Sequence, residues 1–338
     1  MMQKKITWRC PSNIALVKYW GKKEQQIPCN ASLSLTLNRS YTEVSLTLDE
    51  KKERGIELQY FFHGQPNEHF QKRILHYLEQ NQHSFDFLKD YSLTIHSNNS
   101  FPHSAGIASS ASSFGAIALA LLSVSEIQSE HFYKEASCLA RLGSGSACRS
   151  MYGPYALWGS LPELPESSDE YAVPVPKIHP NFHDMCDAII IVDDSVKKVS
   201  SSAGHALMKG HPYADRRFLQ ANQHCKELLN VLAQGEYEHF ITIIEKEALA
   251  LHAMMMTSDQ YFLLMKPGTI HVIEKIMEFR KETGITVAFT LDAGPNVHVL
   301  YPGKDKLQVM AFLESVLKSS AKEIIYDNAG TGPVKISG

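Results

Sequence analysis

Residues with side chains suited to chemistry on a small anion lie in four separate stretches of the 338-residue chain. One stretch, 97–111, holds Gly106 in a loop of small residues, followed by Ser109 and Ser110 at the start of a predicted helix. The free N–H groups and the positive end of the helix dipole at such a start bind phosphate, and the serine hydroxyls add donors or Mg²⁺ ligands. The stretch is not a Walker A motif, because no Gly-Lys-Ser/Thr follows a glycine at the required spacing. An ordinary helix with a serine cap is the alternative interpretation.

The second stretch contains two lysines, Lys18 and Lys22, together with Asn13 and Tyr19. The pattern of residues 13–19 predicts a short strand, and in a strand positions 18 and 22 share a face. Two ammonium groups on one face could meet a single anion. An ordinary solvated strand end is the alternative, because lysines are common at protein surfaces.

The third stretch runs from Gly143 to Arg149 and contains Ser144, Gly145 and Ser146. The two glycines predict tight backbone turns. An arginine buried at such a turn can hold a carboxylate or a phosphate with its planar fork, and the serines can donate to phosphate oxygens. A helix C-cap followed by a turn is the alternative.

The fourth stretch is the turn that begins with Asp292, directly after the apolar residues 286–291. The pKa and the orientation of a carboxylate at the rim of a core can be set by its neighbours, as a catalytic base requires. The alternative is a turn-forming aspartate that accepts backbone hydrogen bonds. A metal-like spacing at His179, His183 and Cys186 lacks an evident fourth ligand, so we expect these residues to be structural and no side-chain metal site.

Composition indicates a folded chain of two domains, at roughly 150 residues per domain. Hydrophobic residues make up 44% of the chain, and the net charge of −3 gives no electrostatic argument for nucleic acid or an anionic membrane as a partner. The longest apolar run, 116–122, is too short to span a membrane, and no secretory signal is apparent. Six cysteines without a Cys-x-x-Cys pair agree with a reducing compartment, so we expect a cytoplasmic protein.

The elements that must position these groups mix strands and helices without the strict alternation of a doubly wound sheet, which favours an α+β fold. A domain boundary near Pro180 divides the chain into residues 1–180 and 181–338. Pro11 is expected to break the first strand, residues 38–40 are expected to form a turn, and residues 197–204 a loop. The predicted strands are 5–10, 13–19, 30–37, 41–48, 56–62, 91–96, 155–159, 188–192, 286–291, 297–301 and 323–327, and the predicted helices are 69–80, 109–121, 130–141, 215–232, 237–255, 269–281 and 304–318.

Taken together, the four stretches resemble the motifs of the diphosphomevalonate decarboxylase family, a branch of the GHMP kinase superfamily. The superfamily's phosphate-binding motif is similar to Pro-x-x-x-Gly-Ile-Ala-Ser-Ser-Ala at 102–111. The pieces specific to the decarboxylase branch are Lys-Tyr-Trp-Gly-Lys at 18–22 and Gly-Ser-Gly-Ser-Ala-Cys-Arg-Ser at 143–150. With Asp-Ala-Gly-Pro-Asn at 292–296, the motifs occur in the family's order and cover nearly the whole chain.

This resemblance implies a GHMP kinase-like fold, with an N-terminal domain like domain 2 of ribosomal protein S5 and a ferredoxin-like C-terminal domain. It implies a homodimeric enzyme that uses ATP and Mg²⁺ to phosphorylate the C3 hydroxyl of 5-diphosphomevalonate, after which phosphate and CO₂ leave and isopentenyl diphosphate remains. In that reaction the resemblance implies that Asp292 orients or deprotonates the hydroxyl, Arg149 holds the substrate carboxylate and Lys18 adds charge near the transferred phosphoryl group. The remaining implied contacts are with substrate for Asn13, Tyr19, Lys22, Ser144, Ser146 and Ser201, and with ATP for Gly106, Ser109 and Ser110.

Two positions depart from the family pattern: Ala31 stands where the family usually has serine, and His205 where it usually has methionine. His205 aligns close to the substrate pocket, so a preference for the monophosphate over the diphosphate stays open. A kinase that acts on mevalonate or phosphomevalonate without decarboxylation also stays open, as does a protein of the same fold that only binds. Release of CO₂ separates the decarboxylases from the kinases, and ATP consumption separates both from a binding protein.

Overall fold

The computed structural model is a mixed structure of strands and helices, and the α+β prediction is confirmed. The described residues are 4–51, 54–102, 109–125, 131–195, 201–317 and 321–338. The strands, in chain order, are β1 (Lys4–Val17), β2 (Ser32–Glu50), β3 (Leu58–Phe62), β4 (Gln65–Pro66), β5 (Tyr91–Asn99), β6 (Tyr155–Trp158), β7 (Ala172–Pro174), β8 (Met185–Ile191), β9 (Ala288–Leu291), β10 (Val297–Pro302), β11 (Glu323–Asn328) and β12 (Val334–Ser337). The α-helices are α1 (Glu68–Gln80), α2 (Ser109–Val124), α3 (Phe132–Gly143), α4 (Ser201–Ala206), α5 (Ala214–Gln234), α6 (Tyr237–Met256), α7 (Pro267–Thr283) and α8 (Lys306–Phe312).

Within the described residues, eight strands form a first sheet and four form a second. The first sheet runs β12-β1-β2-β5-β3-β4, with β6 paired to β2 and to β7. The second sheet runs β11-β8-β10-β9 and is antiparallel throughout. The C-terminal strand β12 was not predicted, because the strand is only four residues long and all four are exposed. It pairs with β1 and therefore returns the end of the chain to the first sheet.

Strand β1 is continuous through Pro11, so the predicted break at that residue is wrong. β12 pairs only with Thr7–Arg9, and beyond those residues β1 has no strand on that side among the described residues. A proline that lacks an N–H therefore costs no ladder hydrogen bond at this position. The register against β2 shifts between Pro11 and Asn13 and again between Ala15 and Val17. Such bulges change the direction of the side chains that follow.

Strand β2 continues through residues 38–40, so the predicted turn is also wrong. Pro11 of β1 pairs with Tyr41 and Asn13 pairs with Thr36, which leaves residues 37–40 outside the β1 register. The carboxylate of Asp327 accepts the N–H groups of residues 38, 39 and 40 at 3.0, 2.8 and 2.7 Å. Because a side chain of β11 satisfies these donors, the strand passes the irregular stretch without reversing.

Helix α2 is described from Ser109 and is buried on every side from Ala111 to Leu122. It packs against β1, β2 and α3 in the core below the first sheet. The other face of that sheet packs against β8, α5 and α6, and a further core lies between the second sheet, α7 and α8. Helix α2 can be buried on every side because its residues are small or apolar.

Two predictions in the second half of the chain need correction. The predicted loop 197–204 instead contains the start of α4, while residues 197–200 lie outside the described residues. The predicted helix 304–318 is α8 from Lys306 to Phe312, preceded by a 3₁₀ turn and followed by a π-helical turn at Leu313–Leu317.

Candidate active site

A cavity of about 430 Å³ lies where the two sheets approach each other. Its walls come from the end of β1, one side of α1, the start of α2, the end of α3 and the 3₁₀ segment Gly145–Met151. The second half of the chain adds α4, α6 and the turn after β9. The ionisable lining residues are Lys18, Tyr19, Lys22, Arg73, His76, Tyr77, Arg149, His205 and Asp292. Among the described residues, four cationic side chains and one carboxylate line this space, so an anionic ligand suits it.

Lys18, Arg149 and Asp292, which are far apart in sequence, line this one cavity. The Nζ atom of Lys18 lies 3.1 Å from Oδ1 of Asp292. Lys18 follows β1 in the first sheet and Asp292 follows β9 in the second sheet. The two sheets therefore meet in an ion pair at the cavity wall.

The side chain of Lys18 is 2% exposed, whereas that of Asp292 is 29% exposed. Burial lowers the pKa of Lys18, and the Asp292 carboxylate opposes that shift. The ammonium group also donates to the carbonyl oxygen of Ala15 at 2.5 Å. The hydrogen bond to Ala15 thus fixes the buried ammonium group, while the more exposed Asp292 carboxylate faces the cavity.

Arg149 is buried, as predicted, in the 3₁₀ segment Gly145–Met151. Its guanidinium donates to Ser32 Oγ at 2.7 Å and to Asn13 Oδ1 at 3.3 Å. The Nε donor has no hydrogen-bond partner within the described part of the chain. Burial lowers the pKa of this guanidinium. A buried cation with a free donor is suited to an acidic group of a ligand.

Asn13 connects the first strand to the arginine segment. Its amide nitrogen donates to Ser150 Oγ at 2.8 Å and to the carbonyl oxygen of Ser146 at 3.2 Å, while its oxygen accepts from Arg149. Asn13 lies at the first register shift of β1. The bulge therefore places an amide that orients Arg149.

The glycines before Arg149 have a different role from the one predicted, because neither has a positive φ. A Cβ at Gly143 would lie 2.0 Å from the ring of Phe114, and a Cβ at Gly145 would lie 2.9 Å from the ring of Tyr19. These positions require glycine for close approach rather than for backbone freedom.

Tyr19 and Lys22 both line the cavity. The predicted strand face shared by Lys18 and Lys22 is wrong, because β1 ends at Val17. Gly21, with φ of +93°, turns the chain between them. His205 holds this turn through its Nδ1 atom, which accepts the N–H of Gly21 at 3.0 Å. The imidazole lies against the Tyr19 ring at 4.2 Å and the Trp20 ring at 4.9 Å between centroids.

Burial and then Lys22 and Arg149 lower the pKa of His205 to about 3, so the ring is neutral near pH 7. Because Nδ1 accepts a hydrogen bond, the proton of the neutral ring is on Nε2. His205 therefore lines the cavity as a neutral side chain. The family resemblance had predicted a position close to the pocket for this residue.

The predicted phosphate residues are only partly brought together. Ser110 and Ser144 line the cavity with their hydroxyl oxygens 3.2 Å apart, and Ser146 lines it as well. Ser109 begins α2 but is not among the described lining residues. Gly106 lies outside the described residues, and Ser201 is the first residue of α4 with a side chain that is not described.

Sequence reasoning missed the contribution of α1, which was interpreted only as a helix with an apolar stripe. Arg73, His76, Tyr77 and Gln80 of this helix line the cavity. Arg73 donates to the carbonyl oxygen of Gly143 at 3.0 Å, and its guanidinium lies 4.7 Å from the Phe114 ring centroid. The available signal was the spacing of residues 73, 77 and 80, which share a helix face.

The donor set of the cavity is suited to a nucleotide with Mg²⁺. The hydroxyl oxygens of Ser110, Ser144 and Ser146 are hard metal ligands, and the hydroxyl groups can donate hydrogen bonds to phosphate oxygens. Lys22 and Arg73 also line the cavity and add positive charge. Among the described residues, no group of three His, Cys, Asp or Glu side chains could hold a metal ion by itself. A magnesium ion bound here would therefore share its coordination between serine oxygens and phosphate.

In the described part of the chain, no helix combines the length and the apolar character that crossing a membrane requires.

Comparison with known proteins gives consistent matches over both halves of the chain. Residues 10–169 match the family model "Diphosphomevalonate decarboxylase-like N-terminal domain". Residues 188–335 match "Mevalonate 5-diphosphate decarboxylase C-terminal domain". Diphosphomevalonate decarboxylase of Ganoderma lucidum is 31% identical over 323 residues, which cover 89% of this chain and 79% of that protein.

Solved structures agree over the full length. The mevalonate diphosphate decarboxylase of Staphylococcus aureus superposes with a TM-score of 0.86 at 31% identity, covering 99% of each chain. A complex of the protein abbreviated MDDEF with MVAPP, AMPPCP and magnesium superposes with a TM-score of 0.86 at 28% identity, covering 100% of each chain.

Proposed function

The chain belongs to the diphosphomevalonate decarboxylase family, and we propose that it catalyses the ATP-dependent decarboxylation of 5-diphosphomevalonate to isopentenyl diphosphate. The observation that carries this proposal is the meeting of Lys18, Arg149 and Asp292 in one cavity with an excess of positive charge. The substrate carries both a carboxylate and a diphosphate, which match that charge. The expected product would enter isoprenoid synthesis by the mevalonate pathway.

The reaction needs a phosphoryl transfer followed by an elimination. The C3 hydroxyl attacks the γ-phosphorus of ATP, ADP leaves, and the hydroxyl proton is released. The new phosphate then leaves the tertiary carbon with its bonding electrons, the bond to the carboxylate breaks, and its electrons form the double bond as CO₂ departs. The overall products are isopentenyl diphosphate, ADP, phosphate and CO₂, so no redox cofactor is required.

Asp292 is the group that orients the C3 hydroxyl and accepts its proton. Its position supports this role, since its carboxylate is partly exposed to the cavity and is paired with Lys18 at 3.1 Å. The lysine ammonium lies beside the same point and supplies positive charge for the transferred phosphoryl group.

Arg149 holds the substrate carboxylate. Two of its nitrogens donate to Ser32 and Asn13, and these two hydrogen bonds give the guanidinium a fixed direction. A fixed planar fork binds a carboxylate with defined geometry, which keeps the bond that breaks in position.

The diphosphate tail contacts Tyr19 and Lys22, and Asn13, Ser144, Ser146 and Ser201 complete the substrate contacts. ATP phosphates bind at the start of α2, where Gly106, Ser109 and Ser110 belong to the motif. When bound, Mg²⁺ supplies charge that neutralises the phosphate oxygens. Ser110 and Ser144 support this assignment because their hydroxyls lie together on the cavity wall.

The test is a CO₂-release assay with Mg²⁺ and ATP on three substrates: 5-diphosphomevalonate, 5-phosphomevalonate and mevalonate. We expect equimolar ADP and CO₂ from the diphosphate and a far lower rate from the other two. ADP without CO₂ would identify a kinase instead, and faster CO₂ release from the monophosphate would identify a monophosphate decarboxylase.

The domain division at residues 1–180 and 181–338 also stays a proposal, supported by family models that end at 169 and begin at 188. The pairing of β12 with β1 adds the last strand to the first domain's sheet.

We propose a cytoplasmic location, which the six free cysteines support. A homodimer, supported by the family resemblance, is tested by light scattering during gel filtration.

A further inference from the structure

Helix α6 contacts the main chain of both members of the Lys18–Asp292 pair. Glu247 Oε2 accepts the N–H of Lys18 at 2.9 Å. Five residues later on the same helix, His252 Nε2 donates to the carbonyl oxygen of Asp292 at 3.1 Å. Glu247 and His252 are 0% and 1% exposed. Neither is among the described residues that line the cavity.

Glu247 is itself held by two residues of the neighbouring helix α5. Arg217 forms a bidentate ion pair with it, from Nη1 to Oε1 at 3.1 Å and from Nη2 to Oε2 at 2.6 Å. His224 Nδ1 lies 2.5 Å from Oε1. Burial raises the pKa of Glu247, but His224 and Arg217 outweigh burial and lower it, so the carboxylate is charged. All the strong contacts of this carboxylate are with fixed, buried groups, which makes it a rigid anchor.

His252 donates from Nε2 because a carbonyl oxygen can only accept. Burial lowers its pKa to about 4, so the ring is neutral near pH 7. Nε2 carries a proton in this neutral form, and it would also carry one in the protonated ring. The hydrogen bond to the Asp292 carbonyl oxygen is therefore kept in both protonation states of His252.

These contacts matter because neither Lys18 nor Asp292 lies inside a helix or strand. The two residues are 274 positions apart in sequence and follow strands of different sheets. Residues 247 and 252 are about 7.5 Å apart along the axis of one helix, which sets a fixed distance between the two main-chain anchors. A rigid helix that holds both backbones can keep their side chains within bonding distance.

We propose that helix α6 is the positioning element of this active site, with Glu247 and His252 as positioning residues for Lys18 and Asp292. This inference rests on the proposed function for its catalytic consequence, but its structural content does not. Displacement of reacting groups by about 1 Å costs about hundredfold in rate, so loss of one anchor should lower kcat.

The experiment compares His252→Phe, which keeps a buried ring without the donor, with His252→Gln, whose amide nitrogen can still donate to the Asp292 carbonyl. We expect kcat for 5-diphosphomevalonate to fall about tenfold to hundredfold in His252→Phe with KM changed less than about threefold. His252→Gln should retain kcat within about threefold of the parent protein. His239→Phe, an exposed histidine on the same helix, is the matched control and should leave kcat unchanged.

A second readout does not need activity: crystal structures of the parent protein and both variants. We expect the 3.1 Å Lys18–Asp292 contact to be lost or lengthened in His252→Phe and kept in His252→Gln. An unchanged contact with unchanged kcat in His252→Phe would overturn the inference, as would equal loss of kcat in both variants. If the parent protein releases no CO₂ from 5-diphosphomevalonate, the proposed function fails, and the crystallographic comparison alone decides the role of α6.

Glu247→Gln provides an independent arm through the other anchor. Its amide oxygen can still accept from Lys18, whereas the charge that balances Arg217 is lost. If this variant folds, we expect a smaller fall in kcat than in His252→Phe, because the main-chain contact survives. A larger fall in kcat at unchanged melting temperature would contradict anchoring through the Lys18 N–H.

Discussion

The two members of the Lys18–Asp292 ion pair differ in burial, and this difference indicates a different role for each. The ammonium group is almost fully enclosed and donates to the Ala15 carbonyl oxygen as well as to the carboxylate. The carboxylate is the more exposed partner, so it is the member that can contact a substrate hydroxyl. A buried charge that keeps its partner in place favours one orientation of that partner, which is what a positioned base requires.

Asp292→Ala is expected to lower turnover about thousandfold, which corresponds to about 4 kcal/mol of transition-state stabilisation. ATP affinity should change little, since the ATP phosphates are assigned to Gly106, Ser109 and Ser110 and not to Asp292. Steady-state kinetics and titration with a non-hydrolysable ATP analogue measure the two effects. Asp259→Ala, which removes an exposed carboxylate, is the control. Unchanged turnover in Asp292→Ala would falsify the role of this residue.

Asp292→Asn separates charge from packing in the same experiment. The amide keeps the size and an oxygen that can accept from Lys18, so the melting temperature should stay closer to that of the parent protein than in Asp292→Ala. Turnover should nevertheless remain low, because an amide cannot accept the hydroxyl proton. Near-normal turnover in the asparagine variant would mean that orientation alone is sufficient.

Arg149→Lys is expected to lower turnover about hundredfold, although the charge is conserved. A single ammonium group cannot contact Ser32, Asn13 and a substrate carboxylate with the geometry of a planar fork. Measurement of kcat and KM for 5-diphosphomevalonate tests this expectation, with Arg39→Lys at an exposed position as the matched control. If Arg149→Lys retains nearly normal kcat and KM, the clamp interpretation is wrong.

At the scale of elements, irregular positions in the first sheet carry much of the site. The register shifts of β1 place Asn13 next to Arg149 and end the strand immediately before Lys18. Opposite the first shift, residues 38–40 of β2 donate their N–H groups to a carboxylate from the second sheet. A strand that deviates from regular pairing in this way needs donors and acceptors from elsewhere in the fold.

Asp327→Ala should lower the free energy of unfolding by about 1–3 kcal/mol or more, because three backbone N–H groups lose their acceptor. Asp327 is only 5% exposed, so water replaces the carboxylate poorly. Urea denaturation of the parent protein, Asp327→Ala and Asp327→Asn measures the effect. The asparagine variant keeps one acceptor oxygen and should lie between the other two proteins. Equal stability of all three would show that these hydrogen bonds do not stabilise β2.

At the scale of the whole molecule, the cavity takes lining residues from the ends of strands in both sheets. The first sheet supplies Lys18 and Asn13, and the turn after the second sheet's β9 supplies Asp292. Packing of α5 and α6 against the first sheet and β8 joins the two halves in one core. The relative position of the catalytic groups therefore depends on this core as much as on either sheet.

The stability of the molecule should decrease as the pH falls from about 6.5 to about 4, in part because of His205. The folded protein holds this ring neutral with a pKa of about 3, whereas in the unfolded chain the ring takes up a proton below about 6.5. The unfolded state then binds more protons than the folded state, so acid favours unfolding. His205→Met should reduce the slope of unfolding free energy against pH by about one proton, or about 1.4 kcal/mol per pH unit.

Urea denaturation at several pH values between 4 and 7 gives these slopes. His69→Met, at an exposed position on α1, is the matched control for replacing a histidine by methionine. Identical slopes for His205→Met and the parent protein would contradict the assignment of His205 as a buried neutral ring.

Much of the local structure could be predicted from sequence because local patterns decide it. The apolar stripe of α1, the start of α2 at Ser109 and the helices α5 to α7 follow from side-chain periodicity and terminal residues. Two of the wrong predictions, at Pro11 and at residues 38–40, concern positions where a distant strand supplies or omits a partner. Local propensity cannot contain that information.

The sequence by itself determined which chemical groups are present, and motif resemblance predicted that Lys18, Arg149 and Asp292 act in one site. It also determined the α+β class, because strand and helix patterns are local. Only the tertiary structure decided that Lys18 and Asp292 lie 3.1 Å apart, that Arg73 joins the cavity and that α6 holds both backbones. The physical reason is that contacts between residues separated by hundreds of positions depend on how whole elements pack, and that packing is a property of the complete core.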